Sequence, residues 1–385
     1  MGDNFVEIEL ERLKEAGLYR KLRRVEGDQG PTLVLDGREV INFSSNNYLG
    51  LANHPALGEA AKSAIDRYGC GTGASRLISG NMTLHEELES KIAEFKGTEA
   101  ALVFNSGFQV NTGVVSTLVS EGDTVFSDAL NHASIIDGCR LSRAKVAVYG
   151  HLDMNHLEGE LKQSTPARRK LIVSESLFSM DGDEAPLADI VGLAERYGAM
   201  VMVDEAHATG VYEPNGAGLV AMLGLGERVF VQMGTLGKAL GGFGAYIAGS
   251  KALRELLINR CRSFIFTTSL PPAVMAMGIA AIDLVGKEPE RRQALADNSE
   301  RLRAGLHGLG YLLGDSSRQI LPLMVGDANR CMELSQRLLK RGVFAHGIRP
   351  PTVPPGTSRL RITLMATHTD KQINQALETF KEAKD

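Results

Sequence analysis

A lysine stands among glycines in "GTLGKALGG" (234–242), directly after the apolar run "VFVQM" (229–233). An ammonium is costly to bury, and a surface lysine has no need of such surroundings. Lys238 therefore sits where an amine could be desolvated and put to use as a nucleophile. Other reactive side chains end other apolar runs. Asp204 and His207 follow "MVMV" in "DEAHATG", His132 follows "TVFS" in "DALNHAS", and Ser179 follows "LIVSE" in "SLFSMDGD". After "AALVF" comes "NSGFQVN", where Ser106 and Gly107 form a turn that opens a helix at about Phe108. Such a turn offers unpaired N–H groups and the positive end of a helix dipole to a phosphate. Thr235 lies between its strand and Lys238.

A lysine amine, a carboxylate, histidines, hydroxyls and a phosphate seat are what pyridoxal 5′-phosphate (PLP) requires. Lys238 would hold the cofactor covalently, Asp204 would keep its ring nitrogen protonated, His207 would reach its phenolic oxygen, and His132 could stack on the ring. Competing motifs fail. A Walker A loop needs glycine where Gln232 stands and a hydroxyl where Ala239 stands. "GCGTGA" (69–74) follows a helical pattern rather than a strand, which removes it as a dinucleotide site. His151 and His156 are five apart, off any helical metal face, so no metal is expected. No G-x-S-x-G hydrolase motif is present.

For these residues to meet, the apolar runs must be neighbouring strands. Seven such runs, at 100–104, 124–127, 145–149, 171–175, 200–204, 229–233 and 245–249, lack clean alternation and are separated by helical segments such as "PLADIVGLAERYG" (186–198). That texture predicts an α/β fold with a mostly parallel seven-stranded sheet, buried on both faces, and ligands beyond the carboxyl ends of the strands. From about 286 charged helices and short strands follow, which predicts a smaller α+β domain. The expected division is an N-terminal segment 1–45, a large domain 46–285 and a small domain 286–385. "RPPTVPPGTSR" (349–359) is a stiff, extended loop.

The 385-residue chain carries a net charge of −4, with 43% hydrophobic and 23% charged residues, which suits a globular protein that binds neither nucleic acid nor membrane. Four separated cysteines point to a reducing cytoplasm, and the acidic, helix-patterned N-terminus reads as no signal peptide. The apolar stretch near 273–285 contains Asp283 and reads as a core helix.

With these residues in hand, the chain resembles the α-oxoamine synthases, fold-type I PLP enzymes that join an amino acid to an acyl thioester with loss of CO2. The likeness rests on "NFSSNNYLGL" (42–51), "GTGASRLISG" (71–80), "SGF", "NHAS", "SLFSMDGD", "DEAHATG", "TLGKALGG", "FTTSLPP" (266–272) and "RLRITLMATHT", and so spans nearly the whole chain. It implies cofactor contacts at Ser106, Gly107, Phe108, Ser179, Asp204, His207, Thr235 and Lys238, with His132 also near the substrate. Thr267 and Thr268 would reach the cofactor phosphate of a neighbouring subunit, which implies a homodimer with shared active sites. Arg361, helped by Asn46, is implied as the clamp on the amino acid's carboxylate, and Arg20 and Thr352 as further substrate contacts. "IRPPTVPPGTSRLRITL" (348–364) with "ILPLMVGD" implies L-alanine and a pimeloyl thioester, carried on coenzyme A or acyl carrier protein, as substrates. The lysine motif recurs in sister enzymes that use glycine and acetyl-CoA, and does not choose among them. An inactive partner subunit would be expected to lack Lys238 or Asp204, and both are present.

Overall fold

The computed structural model describes residues 2–164, 168–212, 215–316 and 318–384. After a helix at Gly2–Glu15 come three short strands: β1 (Val25–Glu26), β2 (Thr32–Leu35) and β3 (Arg38–Asn42). The large sheet follows, built from β4 (Ala100–Phe104), β5 (Thr124–Asp128), β6 (Lys145–Tyr149), β7 (Lys170–Glu175), β8 (Met200–Asp204), β9 (Val231–Thr235) and β10 (Ala245–Gly249). Its seven strands lie in the order β4-β10-β9-β8-β7-β5-β6. Only β10 runs antiparallel to its neighbours. Every residue of β5, β7 and β10 is buried, which is why these strands read as unbroken apolar runs.

One boundary differs from the expected one. β9 begins at Val231 and continues through Gly234 and Thr235, which pair with Tyr246 and Ala245. A glycine looks like a strand breaker in sequence. Here a Cβ at 234 would lie 2.3 Å from the Tyr246 hydroxyl oxygen, so the close approach of Tyr246 requires glycine. The "GCGTGA" segment follows the helix Pro55–Tyr68, not a strand.

The helix Pro272–Lys287 buries Met275, Gly278, Ala281, Ile282 and Val285, an i, i+3, i+6, i+7, i+10 stripe, and packs on helices Pro55–Tyr68 and Thr83–Lys96. Among the described residues no helix is long and apolar enough to cross a membrane. Three further helices, Glu290–Gly308, Ala328–Lys340 and Asp370–Ala383, surround a three-stranded sheet in the order β11 (Ile320–Gly326), β14 (Ser358–Thr363), β13 (His346–Ile348). Between them β12 (Val343–Phe344) pairs with β3, so the N-terminal strands and the C-terminal region share a four-stranded sheet.

Behind the end of β8 lies a buried ion pair. Lys96 bonds to Glu205 and to the Ala217 carbonyl, and both charged side chains are fully buried. Glu205 also accepts the Val220 N–H at 2.9 Å. Gly218, with φ +116°, lets the backbone pass so close that a Cβ there would sit 2.6 Å from the carboxylate. Lys96→Met strands that carboxylate in the core and is expected to cost about 3–5 kcal/mol. The check is the Tm of the purified variant, with Lys96→Met/Glu205→Leu recovering much of the loss; an unchanged Tm in the single variant would contradict it.

Candidate active site

Parallel pairing puts Glu175 beside Asp204 and Asp204 beside Met233, so the carboxyl ends of β7, β8 and β9 open onto one crevice. Asp204 is buried. One carboxylate oxygen accepts Asn111 Nδ2 at 2.8 Å and the other the Ala206 N–H at 2.9 Å. Asn111 comes from the helix Gly107–Leu118, which Ser106 caps by accepting the Gln109 N–H at 3.3 Å. The first N–H groups of that helix, at Gly107 and Phe108, are the ones an α-helix leaves without internal partners. His132 caps the helix Ala133–Ser142 by accepting the Ser134 N–H at 3.2 Å, and the Ser134 hydroxyl lies 2.7 Å from His132 Nδ1 and 2.9 Å from Asn111 Nδ2. One chain of hydrogen bonds thus links His132, Ser134, Asn111 and Asp204.

A second chain starts at the lysine. Lys238 Nζ lies 2.7 Å from His207 Nε2, and His207 Nδ1 lies 2.7 Å from the Tyr48 hydroxyl. Tyr48 donates to Asn46 Oδ1 at 3.1 Å and receives Arg361 Nη2 at 3.3 Å. One donor order satisfies every member: the amine donates to Nε2, Nδ1–H donates to Tyr48, and Tyr48 donates to Asn46. That order needs a neutral His207, and burial, with Lys238 and Arg361 nearby, holds its pKa well below the ordinary value. Burial also pulls the Lys238 amine down to about 8, Asp204 and Glu175 working against it and Arg361 with it. The turn carrying Lys238 is tied by Thr235, whose hydroxyl donates to the Gly244 carbonyl at 2.9 Å and accepts the Gly237 N–H at 3.2 Å.

Arg361, on β14, is buried and donates to the Ser179 carbonyl at 2.5 Å, to Asn46 Oδ1 at 3.1 Å and to Tyr48. All these partners are neutral, and among the described residues no carboxylate pairs with it. A buried guanidinium with only neutral partners is a seat for a ligand's carboxylate. Gln319, at the edge of β11, donates to the His207 carbonyl at 2.9 Å and ties the C-terminal sheet to this side of the crevice.

A cavity of about 710 Å³ opens beside these groups. Residues 129–133 form one wall, Ser179–Asp181 a second and 350–355 a third, so His132, Ser179 and Thr352 face one space. Thr267 and Thr268 lie beside Asn105, whose Nδ2 donates to the Thr267 hydroxyl at 3.3 Å and the Thr268 carbonyl at 2.8 Å, next to Ser106. Arg20 is exposed, and among the described residues no hydrogen bond or ion pair joins it to the crevice.

Tyr48 and Glu175 were not singled out from sequence, nor were Asn111, Ser134 and Gln319, which brace Asp204, His132 and His207. Tyr48 lies within "NNYLG", and nothing local marks it as the bridge between His207 and Arg361. Glu175 ends β7 as Asp204 ends β8. Its Oε2 accepts the Ser179 N–H at 3.2 Å, its Oε1 is buried without a partner, and burial with the Asp204 charge pushes its pKa up to about 8. The signal was present in "LIVSE", but its meaning depends on which strands are neighbours.

Residues 38–380 match the family aminotransferase class I and II, and the chain belongs to that family and, within it, to the α-oxoamine synthases. The 8-amino-7-oxononanoate synthases of Geotalea daltonii and Geobacter sulfurreducens are 54% and 55% identical to it over 375 and 373 residues, 97% and 96% of this chain and 95% of each relative. Among solved structures, a lysine-to-alanine variant of serine palmitoyltransferase from S. paucimobilis, with a bound PLP–myriocin aldimine, is similar with a TM-score of 0.93 at 34% identity, covering 98% of this chain and 96% of that one. The 8-amino-7-oxononanoate synthase from Francisella tularensis is similar with a TM-score of 0.76 at 28% identity, covering 89% and 97%. The fold is the fold-type I architecture expected from the strand pattern.

Proposed function

We propose that the chain acts as an 8-amino-7-oxononanoate synthase: a PLP-dependent acyltransferase that condenses L-alanine with a pimeloyl thioester, on coenzyme A or acyl carrier protein, in biotin biosynthesis. The products are 8-amino-7-oxononanoate, CO2 and a free thiol. The observation that carries this reading is the meeting of Lys238, Asp204, His207 and an acid-free Arg361 beside the 710 Å³ cavity. More than half identity to enzymes of that activity over nearly the whole chain supports the choice of substrates.

The donor set suits PLP. Asp204 is a buried carboxylate, the helix at Gly107 presents an anion seat at its N-terminus, and the buried oxygens Asn111 Oδ1 and Glu175 Oε1 have no protein partner. When bound, PLP supplies an electron sink for the negative charge left at the amino acid's Cα. Lys238 anchors the cofactor and then takes the Cα proton. Asp204 would keep the cofactor's ring nitrogen protonated, and neutral His207 would serve its phenolic oxygen. Ser106, Gly107, Phe108, Ser179 and Thr235 would complete the cofactor contacts, with His132 as a further one. Arg361 and Asn46 grip the alanine carboxylate, orienting the bond to be broken. The Cα then forms a bond to the thioester carbonyl carbon, the C–S bond breaks, and the thiolate leaves, taking a proton from solvent. The carboxylate departs as CO2, and Lys238 returns the proton. Thr352 and Arg20 are read as acyl-side contacts.

The same reading includes a homodimer in which Thr267 and Thr268 serve the neighbouring copy's phosphate. Supporting it, Phe108, Phe243 and Phe266 are 51%, 56% and 71% exposed in segments that flank the site. Four free thiols, three of them buried, support a reducing cytoplasm. The division near residue 285 is supported by the separate three-stranded sheet beyond it.

The test supplies purified, PLP-loaded protein with pimeloyl-CoA and either alanine or glycine, and with glycine and acetyl-CoA, following thiol release. Alanine with pimeloyl-CoA is expected to be the best pair, with glycine worse by about tenfold or more, the scale of one methyl group in a shaped pocket. Higher turnover with glycine and acetyl-CoA would overturn the assignment in favour of a glycine acetyltransferase.

A further inference from the structure

His151, excluded above as a metal ligand, lies just after β6. Its Nδ1 is 2.9 Å from Asp128 Oδ1 and its Nε2 is 2.9 Å from Asp183 Oδ2. A neutral imidazole has one N–H and one lone pair, so it could satisfy only one of these carboxylates. Contact with both calls for the cation. Burial opposes the charge, but the two carboxylates outweigh it and lift the pKa to about 10. The Phe178 ring meets the imidazole edge-on at 4.5 Å and 89°.

What the clamp joins is informative. Asp128 is the last residue of β5 and immediately precedes the cavity wall 129–133, which carries His132. Its carboxylate also accepts the Leu130 N–H at 2.8 Å and the Leu152 N–H at 3.0 Å, so it organises the start of that wall. Asp183 follows the second wall, Ser179–Asp181. That loop is closed on itself by Gly182 N–H to the Phe178 carbonyl at 2.9 Å and Phe178 N–H to the Asp183 carbonyl at 3.0 Å. From β14 the loop is held by Arg359 on Asp181 and by Arg361 on the Ser179 carbonyl. On the β5–β6 side, among the described residues, the side-chain tie to the loop is His151.

We propose that His151 is a positioning residue for the acyl-thioester cavity: bonded to Asp128 and Asp183 together, it sets the separation between the wall that carries His132 and the wall that carries Ser179. The proposal rests on reading that cavity as the seat of the acyl donor. His151 does not line the cavity and acts through the two loops.

The test uses the PLP-loaded protein and measures KM for each substrate separately. His151→Phe keeps an aromatic ring against Phe178 and removes both bonds. It is expected to raise KM for pimeloyl-CoA about tenfold, the scale of one lost charge-assisted hydrogen bond, while KM for L-alanine stays within about twofold. His151→Gln, able to bond one carboxylate, should fall between. If His151→Phe does not fold, Asp183→Asn weakens the same tie and should raise the same KM. A lower Tm with both KM values unchanged, or an equal rise in both, makes the residue merely structural and overturns the proposal. Wild-type protein in the same series separates the two readings. Failure to turn over pimeloyl-CoA refutes the substrate assignment, and the His151 effect is then read on the acyl thioester that is used.

Discussion

Lys238→Ala is expected to lower thiol release from pimeloyl-CoA by on the order of 10⁴-fold, the upper range for loss of a positioned acid–base group. The reading asks two things of one amine, to anchor the cofactor and to move the Cα proton, and alanine does neither. Both require an amine that is unprotonated for part of the time. An ordinary lysine at neutral pH is almost wholly charged. Here burial lowers the value to about 8, and the bond to His207 Nε2 at 2.7 Å aims the nitrogen. Lys238→Arg is the informative companion, because it restores positive charge without a neutral amine. Both variants should be equally inactive. Turnover within tenfold of the parent in the alanine variant would refute the role, and recovery by arginine alone would reduce it to charge.

Asp204→Asn is expected to cost about 10²–10³-fold in kcat, comparable with removal of one preorganised electrostatic contact. The change is nearly isosteric, so packing is preserved and the quantity lost is the negative charge of the buried carboxylate. One local consequence follows from the bonding. Asn111 Nδ2 now donates to Asp204 Oδ2; an amide nitrogen there would meet donor with donor unless Asn111 turned its unpartnered Oδ1 inward. Burial still raises the Glu175 pKa in this variant, while loss of the Asp204 charge brings it below about 8. Asp204 raises the Lys238 pKa, so its removal should lower that value below about 8. Titration of amine reactivity in cofactor-free protein checks the shift, and a kcat loss under threefold would contradict the role of the charge.

Much was legible in the residues themselves. Unbroken apolar runs marked six of the seven large-sheet strands to within one residue, because a strand covered on both faces leaves no polar alternation to hide it. Lys238, Asp204 and His207 were visible because each combines a reactive side chain with a strand end, and strand ends are where an α/β sheet presents ligands. β9 was displaced because Gly234 reads as a breaker until Tyr246 is known to press against it.

The rest waited for long-range pairing. Glu175 became a site residue only when β7 was seen beside β8, and Tyr48 only when Arg361, more than three hundred residues away, reached its hydroxyl. His151 looked like a failed metal ligand until Asp128 and Asp183 met its two nitrogens. β3 and β12 pair across most of the chain, so the first strands belong to a sheet completed near the C-terminus. Residue type and local periodicity are written in sequence because they depend on a few neighbouring side chains. Which strand ends and loops become neighbours depends on sheet order, a property of the whole chain's packing. The chemistry of this protein was therefore carried by its sequence, and the partners that tune that chemistry were decided by its tertiary structure.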